Sequence, residues 1–258
     1  MIRIGTSGFS YDDWVGEVYP ADLPQRDWLS FYARLFSAVE INVTYYRIPA
    51  LYTIESWVRK TPPDFLFAVK AFQDLTHGRE TPDFKPFVES LHPLVEARKF
   101  GCVLAQFPYS FHPSPQNRDY LKTVRAGLGE LPAVIEFRDV RWVEDETFEL
   151  LRELNFGFCS VDEPRLPGLM PPVALATGPV AYVRFHGRNA AKWYGHDEAW
   201  ERYNYSYRPE ELQEWVPKLQ RLNEEAPLTL VFMNNHYRGQ SIKGAQDLQR
   251  MLPPDAAG

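Results

Sequence analysis

Eight short apolar runs, each ending on polar and mostly charged residues, constrain what this chain can fold into more than any other feature. They occupy 2–7, 38–42, 65–70, 102–106, 133–138, 158–162, 181–186 and 228–234. Helix-like segments separate most of them. Strands that alternate with helices pair in parallel, and eight of them predict a closed α/β barrel of the (β/α)8 type, the TIM barrel. The chain has 258 residues, a length that suits one such barrel. The expectation is therefore a single domain over 1–253 with a frayed tail at 254–258. In this fold the C-terminal strand ends build the active site, so the polar endings say where chemistry belongs.

The intervening segments carry helical signals of uneven strength. Trp28, Phe31, Tyr32, Leu35 and Phe36 repeat at helical spacing over 28–36. Thr53 is placed to cap a short helix carrying Ile54, Trp57 and Val58. A helix over 83–100 presents Phe84, Phe87, Leu91 and Leu94, with Gly101 as its stop. Ser114-Pro115 reads as a cap and a first-turn proline. Asp145 opens a helix that Gly157 would end. Later helices are expected from Pro209 through Leu222 and over 241–251. The stretch 163–179 is rich in Pro and Gly and shows no helical period, so the sixth βα unit reads as degenerate.

Composition removes several classes of function. A net charge of -6 argues against nucleic acid as the main partner and against an anionic membrane surface, while leaving room for a local cationic pocket. No apolar stretch approaches the roughly 18 residues of a membrane span. The chain opens on a strand rather than a leader, so a cytoplasmic setting is expected. Cys102 and Cys159 both fall in strands and read as reduced core residues, without the spacing of a zinc site.

Strand parity locates the candidate site. Side chains alternate between faces, and bulky apolar residues should face the helices. Val39 and Ile41 then place Glu40 and Asn42 inward; Phe65, Phe67 and Val69 place Lys70 inward; Ile135 and Phe137 place Glu136 and Arg138 inward. With Cys159 and Val161 taken as outward, Ser160 and Asp162 turn inward. Val183 and Phe185 place Arg184 and His186 inward. Glu40, Glu136 and Arg184 lie one step deeper than Asn42, Arg138 and His186. Unpaired charges so deep are costly, so they should pair. The plainer account of the deep layer is a satisfied ion network that fills the barrel. The upper layer, at the strand ends, reads as functional. Lys70 suits an anion or an imine, His186 proton transfer, and Arg138 a carboxylate or phosphate.

Weaker signals surround these. Thr6 and Ser7 lie in a Gly-Thr-Ser-Gly turn that suits an anion nest or a plain strand exit. Gln106, Asn234, His77 and Arg188 lie at or just beyond strand ends. Tyr11, Trp14, Trp142, Trp193, Tyr194, Tyr203 and Tyr205 fall in loops, where they either stack on a ligand or pack the loops. A metal site drawn from His77, His186, His236, Glu136 and Asp162 is conceivable, but no ligand spacing supports it.

Several stretches taken together resemble the YecE-like family of TIM-barrel proteins, a domain of unknown function. They are Gly5-Thr6-Ser7-Gly8-Phe9-Ser10-Tyr11 with Trp14, Val39-Glu40-Ile41-Asn42-Val43-Thr44-Tyr45-Tyr46, Phe67-Ala68-Val69-Lys70 with Thr76-His77, and Gln106-Phe107-Pro108. Glu136-Phe137-Arg138 with Trp142, Arg184-Phe185-His186-Gly187-Arg188-Asn189, Tyr203-Asn204-Tyr205 and Asn234-Asn235-His236-Tyr237 complete the set. The resemblance covers nearly the whole chain and implies an eight-stranded barrel in a cytoplasmic setting, with no settled activity. Asp139 and Arg141 depart from the family pattern, which has a His and a Ser there, and Gly244 stands where an Asn is common.

The function expected from the residues is acid/base chemistry on a small anionic, polyhydroxylated compound, such as a sugar phosphate or nucleotide fragment. That makes the chain a hydrolase, lyase or isomerase without an organic cofactor. Lys70, Arg138 and Arg188 would hold the anion, with His186, Glu136 or Asp162 moving protons. Glu40 and Arg184 would position them, with Asn42, Gln106 and Asn234 orienting hydroxyls. The alternatives are metal-dependent phosphodiester hydrolysis and non-catalytic binding of a small molecule or nucleic-acid end.

Overall fold

The apolar runs form eight parallel strands: β1 (Ile2–Thr6), β2 (Ala38–Ile41), β3 (Leu66–Lys70), β4 (Phe100–Gln106), β5 (Ala133–Glu136), β6 (Phe156–Asp162), β7 (Val180–Phe185) and β8 (Leu228–Met233). The computed structural model describes residues 1–80 and 82–253; the expected tail at 254–258 lies outside them. From β2 to β8 each strand pairs with its sequence neighbour, and β8 pairs back onto β1. The gap between β1 and β2 is bridged at Ser7 and Glu40, where the Gly8 N–H donates to the Glu40 carbonyl at 2.8 Å. The barrel is thus nearly closed. Among the described residues no helix is long and apolar enough to cross a membrane.

Helices cover the outside. α1 (Trp28–Tyr32) follows β1; α2 (Val43–Tyr46) and α3 (Leu51–Arg59) follow β2; α4 (Lys85–Ser90) and α5 (His92–Glu96) follow β3. α6 (Pro115–Leu128) and α7 (Asp145–Glu153) follow β4 and β5. The segment 163–179 between β6 and β7 carries turns and no helix. α8 (Ala199–Tyr203), α9 (Pro209–Gln213) and α10 (Val216–Glu225) lie between β7 and β8, and α11 (Gln240–Met251) ends the fold.

Some boundaries differ from the sequence reading for local reasons. Ser114 caps α6 through the Asn117 N–H, with Pro115 at the first helical position, as expected. The helix expected over 83–100 is broken in two, because Pro93 lacks an N–H and cannot continue the first piece. Gly101 lies inside β4, and the left-handed residue beyond α5 is Arg98, at φ 56. Gly157 likewise belongs to β6; a Cβ there would stand 2.2 Å from the Val180 carbonyl oxygen, so only glycine admits the close approach of β7. Thr53 lies within α3, whose N-cap is Ala50.

Candidate active site at the barrel mouth

The deep charges form one closed network. Arg184 on β7 donates to Glu136 Oε2 on β5 at 2.7 Å and to Glu40 Oε1 on β2 at 2.7 Å. The Tyr182 hydroxyl donates to Glu40 Oε2 at 2.7 Å, and the Asn42 amide to Glu40 Oε1 at 3.0 Å. Ser7 borders the same carboxylate. Both carboxylates and the guanidinium are buried. Burial opposes ionisation of Glu136, but Arg138 and Arg184 outweigh it and hold its pKa well below the usual range. Glu40 follows the same logic, with Arg184 as the dominant partner. Both carboxylates of this layer are paired, while Arg184 Nε has no hydrogen-bond partner among the described residues; removing one member of such a buried set costs about 3–5 kcal/mol.

In the layer above, Arg138 is partly exposed and His186 is not. Arg138 Nη2 lies 2.9 Å from Glu136 Oε1. His186 is fully buried between two protein partners: Asn234 donates to Nδ1 at 2.9 Å, and Nε2 donates to Glu136 Oε1 at 3.0 Å. That pairing makes His186 the neutral Nε2–H tautomer. Burial first and the Arg138 charge second push its pKa down to about 3. Neither ring nitrogen faces the mouth, so the geometry gives His186 an orienting contact with Glu136 and no free proton site.

Strand β6 corrects the parity expected from sequence. Phe156 packs under the Arg125 guanidinium of α6 at 4.8 Å, and Phe158 meets Phe148 of α7 edge-on at 5.3 Å. These large side chains claim the helix side, so Ser160 and Asp162 point outward with them, while Cys159 and Val161 face the barrel beside Tyr182 and Arg184. Asp162 is enclosed by the Tyr207 hydroxyl at 2.8 Å, the Trp215 indole N–H at 2.7 Å, and Arg188 through two bonds at 2.8 and 2.7 Å. Arg188 also meets Glu214 at 2.8 Å. Asp162 and Arg188 therefore pin the loop after β7 against α9 and α10, and neither joins the barrel charges.

The inward position is taken by Glu163, which the sequence reading passed over. It is 1% exposed. Its Oε1 accepts the Met170 N–H at 2.8 Å; its Oε2 lies 3.7 Å from Arg138 Nη1 and has no hydrogen-bond partner among the described residues. Burial raises its pKa to about 7, against the opposing pull of Arg138. The signal that would have found it was the size of Phe156 and Phe158.

A cavity of about 340 Å³ opens over this pair. Gln106, Arg138 and Glu163 line it from the barrel, Trp193 and Tyr194 from the loop after β7, and Arg202 and Tyr203 from α8. Lys70 stands on the β3 side of the same mouth. Its ammonium lies 4.5 Å from the Tyr45 ring centroid and makes no hydrogen bond or ion pair among the described residues. Burial, with Arg184 and Arg138 nearby, lowers its pKa to about 8. His77 meets the same Tyr45 ring edge-on at 5.1 Å; burial and the Lys70 charge lower its pKa to about 4.

Other candidates lie outside the cavity. Thr6 faces out, its hydroxyl bonded to Tyr32 at 2.9 Å and to the Gly8 carbonyl at 2.6 Å. Trp14 is wholly buried and donates to the His236 carbonyl at 2.7 Å. Tyr11 stacks on His236 at 4.4 Å and donates to the Ser7 carbonyl at 2.6 Å. The five residues weighed as a metal site are not brought together, since Asp162 faces outward and His236 stacks on Tyr11. Among the described residues no three His, Cys, Asp or Glu side chains converge as a metal site.

With this geometry in view, comparison with known proteins is direct. The family described as "Protein of unknown function DUF72" matches residues 3–257. The chain belongs to the DUF72 family. It is 31% identical over 276 residues to the UPF0759 protein YunF of Bacillus subtilis (strain 168), covering 100% of this chain and 97% of that one. A crystal structure of a DUF72 family protein from Thermotoga maritima is similar at a TM-score of 0.90 and 40% identity, over 97% of this chain and 98% of that one. One from Enterococcus faecalis is similar at 0.87 and 29%, over 98% and 95%. The resemblance drawn from the motifs is thereby established. Within this DUF72 barrel, the departing residue Asp139 is buried and accepts from the Arg141 N–H at 3.1 Å and side chain at 2.8 Å, while His112 Nδ1 lies 2.7 Å away. These positions close the turn after β5.

Proposed function

We propose that this DUF72 protein is an enzyme that moves protons on a small anionic, polyhydroxylated substrate bound at the C-terminal barrel mouth. The observation that carries this reading is Glu163: a buried carboxyl, raised to a pKa of about 7, with one oxygen unbonded and turned to Arg138 on the wall of a cavity. A carboxyl tuned to neutral pH serves as acid in one form and base in the other, and both forms are populated near pH 7. Arg138 and Lys70 hold the anion; Arg202, on α8, adds a third cation. Gln106 orients a hydroxyl. Glu136 acts through Arg138, which it holds in place, and His186 orients Glu136. The cytoplasmic setting expected from sequence accords with such a metabolite substrate.

The test is thermal stabilisation across a panel of sugar phosphates and nucleoside monophosphates. At least one compound should raise the melting temperature of the wild type, and Lys70→Ala and Arg138→Ala should each abolish the rise. Variants that respond as the wild type does would refute the assignment of this site.

A further inference from the structure

Three carboxylates and three cations face the barrel interior. Glu40 and Glu136 meet Arg184 and Arg138 at 2.7 to 2.9 Å, and Glu163 lies 3.7 Å from Arg138. Lys70 alone among the cations makes no ion pair among the described residues. Lys70 is half-buried, and an ammonium drawn out of water without a counter-ion is costly; such lysines persist where a neutral amine is useful. Tyr45 supplies an aromatic wall, and His77 rests on the edge of that ring. His77 Nδ1 lies 2.9 Å from the Thr76 hydroxyl, and Nε2 has no protein partner among the described residues. Lys70, Tyr45 and His77 thus form a cluster on the β3 side of the mouth, separate from Glu163 on the β6 side.

We propose that Lys70 is a nucleophile that forms an imine with the carbonyl carbon of a small anionic aldehyde or ketone, with His77 relaying a proton. This rests on the reading that the mouth binds an anion, because Arg138 must hold the charged end of the substrate. The ammonium first releases its proton to solvent. The neutral Nζ attacks the carbonyl carbon, forming the C–N bond, and His77 Nε2 relays a proton from the now positive nitrogen to the carbonyl oxygen, which becomes a hydroxyl. The proton released to solvent returns to that hydroxyl, the C–O bond breaks, and water leaves. The product is a protonated imine, and one water is released for each carbonyl consumed. With the amine at a pKa of about 8, roughly a tenth is neutral at pH 7, far more than for an ordinary lysine. A protonated imine withdraws electrons from the neighbouring carbon and makes its protons more acidic.

The experiment uses the full chain at pH 7 with pyridoxal 5′-phosphate as an anionic aldehyde probe and cyanoborohydride as the reductant that traps the imine as a secondary amine. Peptide mapping should find Lys70 labelled about tenfold or more faster than Lys85, whose side chain is 78% exposed. His77→Asn should slow labelling of Lys70 by about tenfold. Lys70→Met should lose the fast phase, and its thermal unfolding reports whether it is folded. Labelling of Lys70 no faster than Lys85 overturns the proposal, and labelling unaffected by His77→Asn overturns the role of His77. Sulfate-induced thermal stabilisation reads the anion site independently. Stabilisation without a fast Lys70 adduct sinks the imine and leaves the anion reading standing. A fast adduct without stabilisation sustains the imine and removes that reading.

Discussion

Glu163 and Asp162 are adjacent in the chain and face opposite sides of the barrel wall. Glu163 looks inward, 3.7 Å from Arg138; Asp162 looks outward, 2.7 Å from the Trp215 indole nitrogen. One acid meets the cavity and the other the helix layer, so substituting each separates the two environments.

Glu163 should make anion binding depend on pH. Below about pH 7 it is neutral, and the cavity is more positive. Sulfate does not titrate in this range, so its affinity reads the cavity alone. Wild-type affinity should fall roughly three- to tenfold from pH 6 to pH 8. In Glu163→Gln the fall should shrink to about twofold, the part left by Lys70 as pH approaches its pKa of about 8, by calorimetry. A wild-type profile no steeper than that of the variant would remove Glu163 from the cavity's electrostatics.

The same residue should leave a mark on stability. Its folded pKa lies above its unfolded value, so the folded state binds more protons between about pH 4.5 and 7. Stability contributed at this site is therefore present at low pH and lost as pH rises through about 7. The full shift corresponds to on the order of 3 kcal/mol. Glu163→Gln keeps an oxygen for the Met170 N–H and removes the charge. It should raise the stability at pH 8 and leave that at pH 4.5 nearly unchanged, by urea unfolding at both values.

Arg184→Met should be among the most damaging single changes in the chain. It leaves Glu40 in the core without a cation and takes one of the two arginines from Glu136, and about 3–5 kcal/mol of stability should be lost at neutral pH. The loss should shrink toward acid pH, where these carboxylates can protonate. Urea titrations at pH 4.5 and pH 7.5 check both the size and the trend.

Asp162→Ala should loosen the loop after β7 without changing the charge of the cavity floor. Arg188, Tyr207 and Trp215 each lose a partner at that carboxylate. Amide exchange over 187–208 should accelerate at least several-fold, while the pH dependence of sulfate affinity persists. Unchanged protection of the loop would contradict the anchoring contact.

The barrel was legible because its signal is repeated: every strand run carries the same apolar-to-polar ending. The deep network was legible too, because Val39, Ile41, Ile135, Phe137, Val183 and Phe185 each fix the outward face of their strand without ambiguity. On β6 the rule was applied to Cys159 and Val161, which are small enough for the interior, rather than to Phe156 and Phe158, which are not. That one choice exchanged Asp162 for Glu163. Partners of His186 were hidden for a different reason. Strand parity turns a ring inward, but only the placement of Asn234 and Glu136 shows that both nitrogens are already used. Loop residues such as Arg188 carried no periodicity at all, and their contacts depend on how α9 and α10 fold back.

The Glu40, Arg184 and Glu136 triad ties β2, β7 and β5 across the barrel axis, its bonded partners separated by 144 and 48 positions in the chain. A fragment ending after β4 would keep Glu40 and forfeit its guanidinium, while the complementary fragment would hold Arg184 with half its acids. Neither piece is electrically whole. The protein should then resist division into independently stable halves, and a split version should regain structure only when both fragments are mixed.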